Sequence, residues 1–324
     1  MAPGQDYTDG RSAGTDATGL LGDRAGFGKP IAWWLRAHWL SNVSLQDAGR
    51  PCLWPEAAAG DQLTVRLVES WVAPPLSQSN RSVHVYTNAP RVRLWLNGAP
   101  VGEAAAPGGI ATFTLPFAPG NLTAEALDAK GASLGSHTAL TPDARGAARL
   151  ALTLDAPSPS TGTGSALVAD GQDVAMVRAE LLDAQGSPIS PQHASAAANV
   201  TFSVVSGGGR LLGTHNGSPD AFPDVLNATV AAHYGLARAY VQSTEVRAFS
   251  AAVRRTLAAI HVEAGRGGTA AILDGGEGAG MATPPPIVVQ AEVAGLPTAR
   301  LNIPLTTDLA ALPLAVASGS AFAA

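Results

Sequence analysis

Histidine side chains can bind a metal ion or transfer a proton. Apart from His38, they lie singly along the chain, at His84, His137, His193, His215, His233 and His261. A zinc site built on a helix needs two histidines one turn apart, as in His-Glu-x-x-His, and no such pair occurs. These histidines are interpreted as solvated or core residues, and no metal or other cofactor is expected.

Two glycine-containing segments have some features of ligand-binding loops. Residues 170–173 (Asp-Gly-Gln-Asp), together with Asp183, are acidic enough to suggest calcium, but they lack the EF-hand spacing, and Asp-Gly is typical of turns. Residues 207–210 (Gly-Gly-Gly-Arg) have no lysine after them and open no helix. Both segments are therefore interpreted as turns.

Catalytic side chains are equally hard to find. The Gly-x-Ser-x-Gly pattern that holds a nucleophilic serine is absent. Cys52 is the sole cysteine, which excludes an internal disulfide and favours a small buried or half-buried residue. No two carboxylates stand out as general acid and general base. We therefore assign no catalytic residue in this chain.

Tryptophan is the residue type with the clearest clustering. Trp33, Trp34 and Trp39 lie within seven residues. Their rings could stack on the apolar faces of sugars, or they could pack at a domain junction, and the spacing does not decide between the two. Trp95 alternates with Leu94 and Leu96, which favours an outward-facing ring and a further candidate for sugar binding.

Composition limits the classes of protein. The chain has 324 residues, 46% of them hydrophobic and 14% charged, so a folded protein of about two domains is expected. The net charge is −5, and no dense basic face is visible, which argues against nucleic acid as a partner. No run of about 18 apolar residues occurs, so no membrane-spanning helix is predicted.

Six of the nine asparagines begin Asn-x-Ser/Thr, where chance predicts about one. This excess favours a secretory protein, although the threonine content of β-strands offers another explanation. The first 25 residues lack the apolar core of a signal peptide, so a secreted full-length form would need one from elsewhere. Asn216 is followed closely by Pro219 and is not counted among the glycosylation candidates. These candidates are Asn42, Asn80, Asn121, Asn199 and Asn227.

The elements that would position these residues are strands. Residues 83–86 and 92–96 alternate with a period of two, and Asn97-Gly98 follows, which is a strong signal for a two-residue hairpin turn. Further short strands recur every 8–12 residues between Gly/Pro turns, which predicts a β-sandwich. They are predicted at 111–115, 122–127, 148–154, 174–182, 200–204, 210–212, 237–241, 287–293 and 299–303.

Two segments depart from this pattern. Residues 31–40 could form a helix or a strand, because their periodicity does not decide. Apolar residues spaced three and four apart between Val246 and Ile260 predict a helix, and a Gly/Ala/Pro-rich loop follows to about residue 286. Residues 244–286 are therefore interpreted as an insertion into the second sandwich.

A family resemblance adds to this interpretation. Residues 83–102 (VHVYTNAPRVRLWLNGAPVG) resemble a segment of the β-galactosidases of glycoside hydrolase family 2, in the immunoglobulin-like domain after the catalytic barrel. Residues 113–124 continue the match, and 19–30 resemble the end of that barrel. The last sandwich domain of the family is matched in order by residues 169–175, 183–186, 200–204, 212–219 and 236–243.

The resemblance implies a mainly β chain with two immunoglobulin-like sandwiches in tandem, preceded by a short remnant of a (β/α)8 barrel. It also implies that the two catalytic glutamates of the family lie upstream, so this chain alone is expected to be inactive. The predicted domains are 1–40 (barrel remnant and connector), 41–143 (first sandwich), 144–308 (second sandwich) and 309–324 (tail).

Two functions follow from these observations. In the first, the chain is the non-catalytic C-terminal region of a β-galactosidase-like enzyme, its partner is the missing barrel, and Trp33, Trp34, His38 and Trp39 pack on that barrel. In the second, it is a free-standing secreted carbohydrate-binding or adhesion sandwich. The substrate-binding candidates are Asp6, Tyr7, Trp33, Trp34, Trp39 and Trp95.

Overall fold

The structure is a computed structural model. It describes residues 25–40, 63–73, 80–155, 166–218, 226–244 and 284–306. The candidates Asp6, Tyr7, Asn42 and Cys52 and the helix predicted after residue 244 lie outside these ranges. Within them, no helix combines the length and the apolar character needed to cross a membrane.

One α-helix precedes the first sandwich. Residues 31–40, for which the sequence left helix and strand open, lie in helix α1 (Pro30–Leu40). The first residue of the helix is a proline, whose fixed φ suits the first helical turn. A short 3₁₀ turn (Pro107–Gly109) connects two of the strands. The strands are β1 (Val65–Leu67), β2 (Asn80–Thr87), β3 (Arg91–Leu96), β4 (Ala99–Ala105), β5 (Ile110–Pro116), β6 (Asn121–Leu127) and β7 (Ser133–Leu140).

These strands form two antiparallel sheets in the orders β1-β2-β5 and β4-β3-β6-β7. Alternate residues of both sheets point inward, so that Val83 and Val85 of one meet Val92 and Leu94 of the other in a shared core. Trp71 lies in this core with its indole N–H donating to the carbonyl of Ala118 at 2.9 Å. The first β-sandwich is confirmed.

The second sandwich uses the remaining strands. Its sheets have the orders β12-β14-β10-β8 and β13-β11-β15-β16, with a two-stranded parallel pair, β17-β9, beside them. The strands are β8 (Arg149–Asp155), β9 (Leu167–Val168), β10 (Val174–Leu182), β11 (Asn199–Ser206), β12 (Gly209–His215), β13 (Thr229–Ala231), β14 (Leu236–Ser243), β15 (Ile287–Glu292), β16 (Ala299–Ile303) and β17 (Leu305–Thr306).

The second core again draws on both sheets. Val177 of β10 and Val241 of β14 pack with Phe202 of β11 and Val289 of β15. The opposite side chains of β10 and β14 therefore point away from this core, toward the first sandwich and the N-terminal segment. The mainly β fold with two tandem sandwiches is confirmed, and the interval of the predicted insertion falls between β14 and β15.

The predicted hairpin at Asn97-Gly98 is also confirmed. Asn97 and Gly98 have φ angles of 51° and 78°, as a type I′ turn requires. The Asn97 amide donates to the carbonyl of Pro119 at 3.0 Å and accepts from the backbone N–H of Asn121 at 2.8 Å. One side chain thus fixes the β3–β4 turn to the start of β6.

We predict that Asn97→Ala lowers the free energy of unfolding by about 1–2 kcal/mol, because it removes both hydrogen bonds and places alanine at a positive φ. Urea denaturation followed by circular dichroism measures the change. Asn302→Ala, at an exposed position of β16, is the matched control and should stay within about 0.5 kcal/mol. Equal effects of the two substitutions would refute the role given to Asn97.

Candidate functional site at the junction of the sandwiches

The N-terminal segment, residues 25–40, contacts both sandwiches. Helix α1 lies on the first one through Ala37, which is fully buried. The indole N–H of Trp34 donates to the carbonyl of Gly108 at 3.0 Å, and Arg36 donates to the carbonyl of Leu63 at 2.8 Å. The small side chain of Ala37 allows this close approach, and the flanking polar contacts fix the position of the helix along the sheet.

Just before the helix, Phe27 is buried against the second sandwich. It forms a small apolar cluster with Ala25 and with Leu236 of β14. The guanidinium carbons of Arg178 and Arg238 lie 5.5 and 4.4 Å from the centroid of its ring. Aromatic faces attract cations at these distances, so Phe27 stabilises two positive charges on the outer face of the sheet.

Arg178 and Arg238 lie directly opposite each other on β10 and β14, where like charges are unfavourable. The carboxylate of Asp155 accepts from both, at 2.9 and 2.5 Å. Arg238 is fully buried, and its Nε and Nη1 atoms make no hydrogen bond within the described ranges. The Phe27 ring and the single carboxylate together therefore compensate a buried guanidinium.

A cleft with a volume of about 390 Å³ lies beside this cluster, between the two sandwiches. We call it the junction cleft. The first sandwich contributes its β1 end and β7, and the second contributes β10 and the turn after it. Its polar side chains include Arg66, Glu69, His137, Arg178 and Glu180.

Arg66 and Glu180 come from different sandwiches. Burial and the nearby charge of Arg178 together lower the pKa of Arg66 to about 10, although Glu180 opposes the change. The guanidinium of Arg66 also lies 5.0 Å from the ring centroid of Trp33 on α1. The N-terminal segment thus places an aromatic ring over an arginine of each sandwich.

Glu180 is a partly buried carboxylate without a direct partner. Burial raises its pKa above the usual value, Asp155 adds to the rise, and Arg178 and Arg66 oppose it. In the described part of the chain it accepts no hydrogen bond and forms no salt bridge. A carboxylate kept in such a place costs stability, which makes Glu180 the most informative residue of the cleft.

His137 of β7 lines the same cleft as a neutral ring. Its Nδ1 atom accepts a hydrogen bond from the backbone N–H of Leu67 at 3.3 Å, which leaves the proton on Nε2. Burial, with a smaller effect of the charge of Arg66, lowers the pKa of His137 to about 4. Glu69, by contrast, already pairs with His84 at 2.5 Å.

The structure separates the tryptophans that the sequence singled out. Trp33 and Trp34 are half-buried against the first sandwich, whereas Trp39 remains 61% exposed. Trp95 lies on the outer face of β3, where its indole N–H donates to Glu125 at 3.1 Å and Arg93 covers its ring. Trp95 is therefore not part of the α1 cluster, and its ring face is partly occupied.

The sequence did not single out Arg66, Arg178 or Glu180 as site residues. His137 was interpreted as solvated or core. The sequence does contain one signal for Arg178 and Glu180. Both are charged residues within the apolar alternation of residues 174–182, so their side chains must face away from the core. Among the described residues, no cluster of His, Cys, Asp and Glu has the arrangement of a metal site.

We predict that His137 makes the protein less stable in mild acid. Its pKa is lowered on folding from 6.5 to about 4, so the folded state binds fewer protons in this interval. The contribution of the neutral His137 to the free energy of unfolding is fully present above pH 6.5. It is lost as the pH falls toward 4, and the loss is on the order of 2 kcal/mol. Urea denaturation at several pH values, compared with His137→Gln, isolates this contribution; identical slopes for both proteins would disprove it.

We predict that Phe27→Ala lowers the free energy of unfolding by about 3–5 kcal/mol, because it opens a cavity and uncovers Arg178 and Arg238. Phe27→Leu retains the apolar contact and loses only the ring face, so its cost is about 1–2 kcal/mol. Chemical denaturation monitored by fluorescence measures both. A loss below about 1 kcal/mol for Phe27→Ala is incompatible with this description of the junction.

Comparison with known protein families gives two matches. The model of the glycoside hydrolase family 2 C-terminal domain 5 matches residues 161–255, within the second sandwich. A domain family of unknown function matches residues 79–135, within the first. Comparison with curated proteins gives no significant match.

Solved structures show the same fold. A β-glycosidase from Bacteroides vulgatus has a TM-score of 0.58 at 19% identity, over 88% of this chain and 27% of its own. A glycosyl hydrolase family 2 member from Bacteroides cellulosilyticus DSM 14838 has a TM-score of 0.55 at 20% identity, over 89% of this chain and 32% of its own. The chain thus spans about a third or less of these structures.

The resemblance to a C-terminal region of family 2 glycoside hydrolases, expected from the sequence, is confirmed by residues 161–255 and by the fold.

Proposed function

We propose that this chain is the non-catalytic C-terminal sandwich region of a family 2 glycoside hydrolase and that it acts together with a catalytic barrel. The observation that carries the proposal is the match of residues 161–255 to a C-terminal domain of that family, at the position of the second sandwich. The tandem-sandwich fold shared with the Bacteroides vulgatus β-glycosidase supports it.

Absence of catalysis in the isolated chain follows from the proposal. A retaining glycosidase needs two carboxylates about 5 Å apart, one as nucleophile and one as acid/base. A (β/α)8 barrel that holds such a pair needs at least about 200 residues. Of the described carboxylates near the junction cleft, Glu69 forms an ion pair with His84, and Asp155 forms ion pairs with two arginines. Glu180 is the one that has no such partner among the described residues.

The full enzyme is proposed to act on β-galactosides. This finer assignment rests on the resemblance of residues 83–102 to β-galactosidases. The exposed ring of Trp39 on α1 is proposed to contact the barrel, and the segment before it to be the end of that barrel. Asp6 and Tyr7 are proposed to lie near the barrel mouth.

We predict that the purified chain releases no chromophore from nitrophenyl β-galactoside, β-glucoside or β-glucuronide above the buffer rate. The reason is that, among the described residues, the junction cleft holds one carboxylate without a pairing partner, and one carboxylate cannot supply both catalytic groups. Spectrophotometry over several hours measures release. Hydrolysis that copurifies with the chain and disappears in Glu180→Gln would show a catalytic site in the sandwiches and overturn the proposal.

We also propose that the chain passes through the secretory pathway and carries N-linked glycans. Four sequon asparagines, Asn80, Asn121, Asn199 and Asn227, are exposed, which the modification requires. Asn216 differs, because it is buried and its amide donates to the carbonyl of Ala231 at 2.9 Å.

When the chain is expressed in a eukaryotic secretory host behind a supplied signal peptide, we predict glycans at these four exposed sites and none at Asn216. A buried amide that already donates a hydrogen bond is not accessible to the modifying enzyme. Peptide mass spectrometry after enzymatic deglycosylation identifies each site. Full occupancy of Asn216, or no occupancy at any exposed site, would argue against the proposal.

A free-standing carbohydrate-binding or adhesion protein using Trp95 is less well supported. The Trp95 indole already donates to Glu125, and Arg93 lies 5.7 Å from its ring centroid. A sugar stacking on that face would have to displace the arginine. The half-exposed ring of Trp95 on the outer face of β3 is the feature of the described residues that favours this alternative.

A further inference from the structure

We propose that the junction cleft binds a neutral monosaccharide or disaccharide, through Glu180 and His137. The inference goes beyond the function proposed above and does not depend on it, because binding needs only residues of the two sandwiches. It rests on two polar groups of the cleft to which no described residue hydrogen-bonds, on its charge balance and on its size.

The polar groups of the cleft can form hydrogen bonds with hydroxyl groups of a ligand. Glu180 offers carboxylate oxygens that accept no hydrogen bond within the described ranges, and the Nε2–H of His137 has no acceptor there. A hydroxyl group donates to a carboxylate and accepts from an imidazole N–H, so a polyol satisfies both. A purely apolar ligand would leave both groups unsatisfied at a cost.

The charges of the cleft are close to balanced, which favours a neutral ligand. Arg178 shares the carboxylate of Asp155 with Arg238, at 2.9 and 2.5 Å. Glu180, on the same strand as Arg178, adds a second negative charge on this face. Arg66 and Glu180 affect each other's pKa in the directions that opposite charges produce. A uronate or phosphate would add a negative charge beside Glu180, and an ammonium compound would add a positive charge beside Arg66.

The shape of the cleft also suits a sugar. Its volume of about 390 Å³ lies at the lower end of small-molecule sites, which span roughly 300–1,000 Å³. Leu140, Pro188 and Pro191 line the cleft as partly exposed apolar side chains, on which the C–H face of a pyranose ring can pack. Apolar side chains together with a few polar groups are typical of sites that orient a small ligand.

Glu180 provides the test that separates a binding role from a structural one. An unpaired, partly buried carboxylate destabilises the fold, so Glu180→Gln should raise the midpoint of thermal unfolding. The same substitution removes the charged acceptor and should weaken sugar binding at least tenfold. Gain of stability with loss of binding is the signature expected of a ligand site.

The experiment is a titration of the whole chain with galactose, glucose, lactose and cellobiose, and with glucuronate and inorganic phosphate as charged controls, followed by calorimetry and by protein NMR. We expect saturable binding of at least one of the four neutral sugars with a millimolar Kd. Glu180→Gln should lose it, and Glu292→Gln, at an exposed position of β15, should bind as the parent chain does. Leu140→Trp, an exposed substitution at the cleft wall, should also block binding if Glu180→Gln fails to fold.

Three results would overturn the proposal: no saturable binding of any of the four sugars up to 50 mM (about ten times a typical millimolar Kd), binding that Glu180→Gln and Leu140→Trp leave unchanged, or a preference for glucuronate or inorganic phosphate over neutral sugars. Failure to bind sugar would overturn this inference but not the proposed function, because the chain could still lack hydrolytic activity. Hydrolysis by the chain would overturn the proposed function but not the sugar binding. The outcomes of this experiment and of the hydrolysis assay are therefore distinguishable.

Discussion

The contact of Phe27 with Arg178 and Arg238 is the interaction on which the arrangement of this protein depends. Two arginines directly opposite each other on neighbouring strands repel, and one carboxylate, Asp155, does not balance two charges. The aromatic ring supplies the rest of the compensation and also excludes water from Arg238. Because Phe27 lies a few residues before α1, the same segment that covers these charges also binds the first sandwich. This short segment therefore contributes to the position of one sandwich relative to the other, together with direct contacts such as the hydrogen bond from the backbone N–H of Asp143, after β7, to the Asp183 carboxylate at 3.0 Å.

The junction cleft is a consequence of the same arrangement. Arg66 is covered by Trp33 from α1, and Arg178 by Phe27, so the two arginines on either side of the cleft are held by one segment. Between them Glu180 keeps a carboxylate that no neighbour in the described ranges pairs with. Proteins retain such groups at sites where a ligand completes their hydrogen bonds, at some cost in stability. Binding of a ligand in the cleft, as proposed above, needs no catalytic group.

The sequence predicted the sandwiches because their signals are local. Asn97-Gly98 needs only two residues with positive φ, and the inward residues of β10 need only their alternation. Strand β7 was missed because Gly135, Ser136 and His137 interrupt its apolar pattern. The junction could not be predicted, since Phe27, Arg178 and Arg238 are far apart in the sequence and nothing local marks their contact. His137 was visible as a residue, but its burial against β1 depends on the packing of β7 and is not encoded in its neighbours.

Differential scanning calorimetry of the whole chain measures whether the N-terminal segment makes the two sandwiches one cooperative unit. If it does, we expect a single transition whose calorimetric enthalpy equals its van 't Hoff enthalpy. Two independent transitions, one for each sandwich, would contradict it, because they would show that the contacts of Phe27 and α1 are too weak to couple the sandwiches.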